Sequence, residues 1–579
     1  MTRSPAVLSS AALLLSVVSV AVTGCSFGES GIDPPINRIF LPAGLVADPF
    51  DPFLYVVNSN SDLRFNAGTV VAVDLAKAAK RLADAGASRD TNPPIPTCSK
   101  TRFSRTEPVA DDYCCRDLVD SNILNCNEPQ YVRSEATIGI GSFGGAVVLQ
   151  KNLPSEDPTI RRLFVAVRAE PSITYADIRI VRDFSGSADS GSSADGEASD
   201  DGGASDDGGV SVDAGATSYS VSMRCTGAHS DNSAQPANAY CDDNWRVRRP
   251  GGASPGSEAL PEEPHVLALD EPRGILFVGH LTVSANAQFQ GGGVSALDIT
   301  CPDSVYFAGL SQTPFLPSTA PLAQAVAALS PGDPISRVSP DGSLVSLDGQ
   351  PILPVDPALS GAIAVYATAR NSAQITGMVL RKPGQAPPTC TSTEFPPADS
   401  RDLTLVPGEN FLSPAFLPNG SDVRGILFSA DNTEAYVLHR NDSDTITIAN
   451  PPAFVVLDRH SLADGTPANS VIGILDVCNG PTAMQRNPNT TYSRNKDRIY
   501  VTCYDDGEIY VIDPNALVVT AIIDVGTGPT SLVFSPLDPG VAYVASFANS
   551  HLSVIDIAPG SPTENHVVQR IGLPHGYGE

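Results

Sequence analysis

Ile474–Pro488 reads ILDVCNGPTAMQRNP, and Ile522–Pro536, 48 residues further on, reads IIDVGTGPTSLVFSP. Seven of the fifteen aligned positions are identical. Each copy is followed by an aromatic-led apolar strand, RIYVTC ending at Cys503 and VAYVAS ending at Ser546. A turn then leads into a β-branched strand closing on aspartate, YVID at Asp513 and SVID at Asp556. These runs are short, rich in Val, Ile and Tyr, and bounded by turn residues, as strands of a small antiparallel sheet require. The repeating unit therefore holds four strands: one after the Gly-Pro turn, the aromatic-led one, the one ending in Asp, and the one that leads into the next Gly-Pro.

The aromatic-led strand recurs upstream at Tyr55, Phe164, Phe277, Tyr366 and Tyr436, and then at Tyr500 and Tyr543. That makes seven units. Their spacings fall from 109 and 113 residues near the N-terminus to 43 for the last pair, so the early units carry insertions. Two stand out. Residues 76–133 hold Cys98, Cys114, Cys115 and Cys126 with few strand signals, and read as a disulfide-bound loop. Residues 185–218 are Ser, Gly, Ala and Asp with eight acids, no Lys or Arg and no aromatic; such a stretch buries too little surface to offset its ordering entropy, so disorder is expected. The third-strand aspartate is visible at Asp74, Asp298, Asp458, Asp513 and Asp556 and missing from the second and fourth units. Five copies at one position argue for a turn or cap rather than for catalysis.

Composition agrees. Gly 48 and Pro 50 in 579 residues punctuate many short strands and disfavour a helical bundle. With Lys plus Arg at 36 against Asp plus Glu at 64, the net charge of −28 repels phosphate backbones and excludes general nucleic-acid binding. A period of 40–45 residues with four strands per unit is the signature of an all-β, seven-bladed β-propeller. With its Gly-Pro turn, Tyr-Val strand and Val-Ile-Asp strand, the chain resembles the YVTN-type propeller family, most closely at Gly528-Pro529, Ser535-Pro536, Tyr543-Val544 and Val554-Ile555-Asp556. Arg38–Gly44 (RIFLPAG) and Arg570–Gly576 (RIGLPHG) share five of seven residues. The family plan implies that one of these ends completes the last blade and removes its exposed edge. Which end does so is left open.

The N-terminus sets the expected compartment. An uncharged apolar run, Ala6–Val22, follows Arg3 and ends in Val22-Thr23-Gly24-Cys25, which resembles the bacterial lipobox. The resemblance implies a signal peptide over 1–24, acylation of Cys25, a tether over 25–36 and the propeller over 37–579. By likeness to the enterobacterial sorting rule, Ser26 directs the lipoprotein to the outer membrane. The other ten cysteines can form five disulfides among Cys98, Cys114, Cys115, Cys126, Cys225, Cys241, Cys301, Cys390, Cys478 and Cys503, and no C-x-x-C suggests a metal. In the family plan the outer strand of one blade runs into the inner strand of the next. That places Cys478 near Cys503, and a bond between them is expected, with two free buried thiols as the alternative.

Candidate chemistry is sparse. His280 and His439 follow their strand aromatics by three residues, as Asn58 does in the first unit, and all three are possible residues of the channel face. Two histidines among seven equivalent positions do not make a three-ligand metal site. The sequence has no G-x-S-x-G elbow, H-E-x-x-H, Walker loop or helix-opening G-x-G-x-x-G, so no cofactor is expected. The reading is a binding or scaffolding propeller with an envelope protein or glycan as partner. The alternative is a propeller enzyme, lactonase-like or quinone-dependent, working at the channel mouth. Oligomeric state is not legible.

Overall fold

Every aromatic-led run is the second strand of a four-stranded antiparallel sheet. The computed structural model describes residues 31–572 except 88–94, 99–109, 154–158, 184–217, 228–234, 238, 249–259, 282–291, 312–325, 332–336, 339–343, 346–362, 371–372, 383–384, 391–396, 398, 413–421, 430, 441–450, 461–467 and 489–497. Cys25 and nearly all of the acidic 185–218 stretch thus lie outside the described residues.

The seven second strands are Phe53–Asn58, Ile160–Val167, Ile275–His280, Val365–Ala369, Glu434–His439, Ile499–Cys503 and Val541–Ser546. They are almost wholly buried because each blade is sandwiched between two others, and Tyr55, Phe164, Phe277, Tyr366, Tyr436, Tyr500 and Tyr543 all sit in that interior. Burying an aromatic of this size contributes about 1.5–3 kcal/mol, which is why the pattern recurs in every blade. The fourth strands of blades 5 and 6, Ser470–Asp476 and Val518–Asp524, form the rim, and Ile472, Val518 and Ile522 are exposed there.

The first strands are Pro42–Ala47, Gly144–Gln150, Pro264–Asp270, Val326–Pro331, Val423–Phe428, Pro481–Arg486 and Pro529–Phe534. Each touches the next around a complete cycle, the seventh returning to the first. The molecule is a seven-bladed β-propeller.

Ring closure falls to the C-terminal end. His566–Ile571 is the fourth strand of blade 7, whereas Arg38–Phe40 forms no strand. The seam with blade 1 is then covered by the 76–133 insertion. This segment contains a 13-residue helix, Leu75–Ala87, which the sequence reading missed, and two short strands, Cys114–Arg116 and Leu124–Cys126. Leu124–Cys126 pairs in parallel with Gln569–Ile571, adding a fifth strand to blade 7 and hiding its edge. Disulfides Cys98–Cys115 and Cys114–Cys126 tie the insertion together. Both arginines of the twin terminal motifs dock on it: Arg38 donates to Asn127 Oδ1 at 2.5 Å, and Arg570 pairs with Asp117 at 3.2 Å.

The device recurs. Cys225–Cys241 closes an excursion that interrupts the outer edge of blade 2, and its Ala239–Tyr240 pairs in parallel with Ile138–Gly139 of blade 1. Cys301–Cys390 links blade 3 to the excursion between the third and fourth strands of blade 4, where the Leu403 amide donates to the Ala308 carbonyl of blade 3. Cys478–Cys503 is formed as expected, with a Cα separation of 5.8 Å.

One reading is corrected. The second unit does carry the third-strand aspartate: Tyr175 faces Phe164, and Asp177 stands two residues on, as Asp74 does beyond Ala72 opposite Tyr55. It was hidden because its strand, Ser172–Asp183, continues past it instead of ending there. The position has a structural role throughout. Asp513 and Asp556 accept turn amides, Asp74 takes the Lys77 amide at the start of the helix, and Asp177 and Asp298 hold Arg162 and Arg401.

Candidate functional site

At one end of the ring, where second strands finish and first strands begin, six blades share one hydrogen-bonded plan, and five of them share its backbone conformation as well; residue 325 of blade 4 lies outside the described residues. The residue just before the first strand takes a left-handed backbone at Leu41, Phe143, Glu263, Gly480 and Gly528. Glycine meets this at no steric cost, which explains the Gly-Pro signature of blades 6 and 7; Leu41, Phe143 and Glu263 meet it with a Cβ in place. Its carbonyl accepts the amide of the residue after the second strand, as in Tyr504 to Gly480 at 2.9 Å and Leu281 to Glu263 at 3.1 Å. A β-bulge then opens every first strand. Such bulges re-aim side chains and mark functional rims.

The bulged residue stands at the start of the innermost strand of its blade. Thr482 Oγ1 donates to the Pro529 carbonyl at 3.2 Å and Thr530 Oγ1 to the Pro42 carbonyl at 3.1 Å, each reaching the first residue of the following blade. Equivalent positions are occupied by His265 in blade 3 and Arg424 in blade 5. One residue beyond the second strand stand Arg168, Arg370 and Arg440 in blades 2, 4 and 5. Blades 2–5 thus bring four arginines and a histidine to one half of the mouth, while blades 6, 7 and 1 offer Thr482, Thr530 and Ala43.

Three of these arginines have carboxylate partners. Arg424 pairs with Asp422 at 2.6 Å, Arg168 with Glu263 at 3.6 Å and Arg440 with Asp505 at 3.6 Å. Arg370 has none among the described residues. Its Nη2 contacts His265 Nε2 at 3.5 Å, and its Nε is buried with no hydrogen-bond partner among those residues. Burial, then the charges of Arg370, Arg168 and Arg424, hold the His265 pKa at about 3, so the ring is neutral and its Nε2 accepts from Arg370. Arg370 is itself pushed below the usual arginine range by burial and by Arg424, Arg168 and Arg440, with Asp422 opposing.

The residues nominated from sequence lie one position short of this cluster. Asn58, His280 and His439 are fully buried at the last position of their second strands. Asn58 accepts the Phe40 amide and donates to Thr69 Oγ1. His280 sits between the Glu262 carbonyl at 3.0 Å and Ser295 Oγ at 2.9 Å. Burial lowers the pKa of His280 and of His439 to about 4. The signal for the site was present nonetheless: RLFVAVR, AVYATAR and EAYVLHR each end in arginine four residues after the aromatic. Among the described residues no group of three or more His, Cys, Asp or Glu side chains is placed to hold a metal ion.

The chain matches no described protein family and no curated protein. Among solved structures it is similar to the Pseudomonas aeruginosa periplasmic gluconolactonase, at 16% identity over 46% of this chain and 72% of that one, with a TM-score of 0.26. It is similar to dihydro-heme d1 dehydrogenase at 10% identity, over 94% of this chain and 67% of that one, with a TM-score of 0.38. A third likeness, at 14% identity and a TM-score of 0.26, is to Kuenenia stuttgartiensis hydrazine synthase, over 52% of this chain and 85% of that one.

Proposed function

We propose that this protein is an exported, lipid-anchored binding propeller of the YVTN type, held at the outer membrane by acylated Cys25, that presents the arginine-bearing end of its ring to an envelope protein or glycan. The observation that carries the reading is the convergence of Arg168, His265, Arg370, Arg424 and Arg440 at one mouth of a chain whose net charge is −28. A rigid ring that places side chains from four blades at one point is a recognition surface. Its five disulfides suit an oxidising compartment outside the cytosol. Among the described residues no helix is long and apolar enough to cross a membrane, and acyl chains on Cys25 would supply the anchor.

Two measurements test this. Metabolic labelling with an alkyne fatty acid should tag the wild-type chain and leave Cys25→Ser untagged. In cells, a photo-crosslinking residue at Glu170, in the turn beside Arg168, should form a discrete adduct, and one at Asn515, at the opposite end of the ring, should not. Equal adducts from both positions, or none from either, would refute the recognition face.

A further inference from the structure

We infer that the arginine-bearing mouth is a site for a carboxylate- or phosphate-bearing ligand, with Arg370 as its anchor. This deepens the reading of that mouth as a recognition face. The argument starts from charge. Four guanidiniums, those of Arg168, Arg370, Arg424 and Arg440, stand against three carboxylates, those of Asp422, Glu263 and Asp505. The one left without a paired carboxylate among the described residues is Arg370, which feels the charges of all three other arginines. Only the Asp422 carboxylate, which is paired with Arg424, opposes these like charges on a partly buried Arg370; that arrangement is costly, and an arriving anion relieves it.

The shape of the group narrows the chemistry. Guanidinium is a planar fork whose five N–H donors match the paired oxygens of carboxylate and phosphate. His265 engages Nη2 from one side at 3.5 Å, and being neutral it can only orient the fork, not repel an anion as a second acid would. The charges of Arg168 and Arg424, from blades 2 and 5, also act on His265, so a ligand held by Arg370 meets further positive charge. The chain as a whole carries a net charge of −28, so a mouth bearing four arginines departs locally from its overall charge and favours anions there.

Two sources share this chemistry: a free small anion, or an acidic group on an envelope glycan. The experiment titrates the full-length protein in neutral detergent with citrate, inorganic phosphate and a short oligogalacturonate, at matched ionic strength in chloride, by calorimetry and thermal denaturation. At least one of the three should bind saturably and raise the melting temperature. Arg370→Ala and Arg370→Lys should each weaken that binding at least tenfold, the lysine because it keeps the charge but loses the fork. The distant exposed cation change Lys382→Ala should not. In ligand-free protein, Arg370→Ala should melt no lower than wild type, since it removes one of four crowded cations that share three carboxylates. Preference for citrate or phosphate identifies a free anion, and preference for oligogalacturonate a glycan acid. Either supports the site. No saturable binding by any of the three, undiminished binding in Arg370→Ala, or a clear drop in the ligand-free melting temperature of Arg370→Ala would overturn it. The photo-adduct at Glu170 is independent of these anions, so its survival alongside such a result would leave the recognition face standing and remove only the anion site.

Discussion

At the level of single residues, the most consequential groups are charged or titratable side chains taken out of water. Arg161 of blade 2 bridges Asp48 at 2.9 Å and Asp51 at 2.7 Å in blade 1, while Arg182 also reaches Asp51 and Tyr55 donates to Asp48. Burial raises the Asp48 pKa, and the Arg161 charge opposes that rise. Arg161→Met should therefore strand a buried carboxylate and cost about 3–5 kcal/mol in chemical denaturation, with part of the loss recovered in the double variant Asp48→Asn/Arg161→Met. The buried histidines set a pH dependence. His280, His439 and His551 are each held at about 4, against about 6.5 when exposed in the unfolded chain. Between those values the unfolded chain binds protons that the folded one refuses. Their contribution is thus complete above about pH 7 and is lost as pH falls toward 4, by about 2 kcal/mol per histidine at pH 5. Denaturation midpoints at pH 7 and pH 5 should show this drop, and His439→Gln should make it smaller.

At the level of elements, the returning excursions decide how the rim is protected. A blade's fourth strand presents unpaired backbone groups, which invite pairing with other chains. In blades 7 and 1 that edge is covered by a parallel segment from the next blade in the ring, and in blade 3 by a backbone hydrogen bond from blade 4. Each covering segment carries a disulfide because a short loop with little core of its own must be kept in place covalently. Removing one bond, as in Cys114→Ala/Cys126→Ala, should cost about 2–4 kcal/mol. Hydrogen exchange should then accelerate in the peptide covering residues 566–572, whose Gly572 amide donates to the Cys126 carbonyl. Unchanged exchange there would show that the insertion holds its place without the bond.

At the level of the whole molecule, closure is what makes the seven sheets cooperative. Each first strand has a neighbour on both sides only because blade 7 meets blade 1, where Thr530 donates to Pro42 and the Leu41 amide to Ser550 Oγ. Blades 1 and 7 also share one apolar cluster with the helix of the insertion, including Leu54, Leu75, Tyr131, Tyr543 and Ile571. A chain ended after Asp524, before blade 7, should lose far more stability than one-seventh. Broadened, non-cooperative thermal unfolding is the expected result, whereas a sharp transition near the wild-type temperature would show that six blades suffice.

The all-β class, the seven units and the second strand of each blade were legible in the sequence because a buried central strand demands a large apolar residue at one register, and that demand repeats locally. So did the turn chemistry of Gly480-Pro481 and Gly528-Pro529, and the Cys478–Cys503 pair, whose partners lie 25 residues apart. Asp177 was not legible because its strand runs on past it, and the helix Leu75–Ala87 because one 13-residue amphipathic run gives little signal within a strand-rich chain. Only the tertiary structure decided which terminus completes blade 7, that the cysteine-rich insertion of blade 1 crosses the seam, and that Cys301 meets Cys390 across 89 residues. It alone also brought Arg168, His265, Arg370, Arg424 and Arg440 together, from positions up to 272 residues apart. The physical reason is the same in each case: strand and turn preferences act over a few residues, whereas a mouth assembled from four blades exists only once the ring has curved and closed.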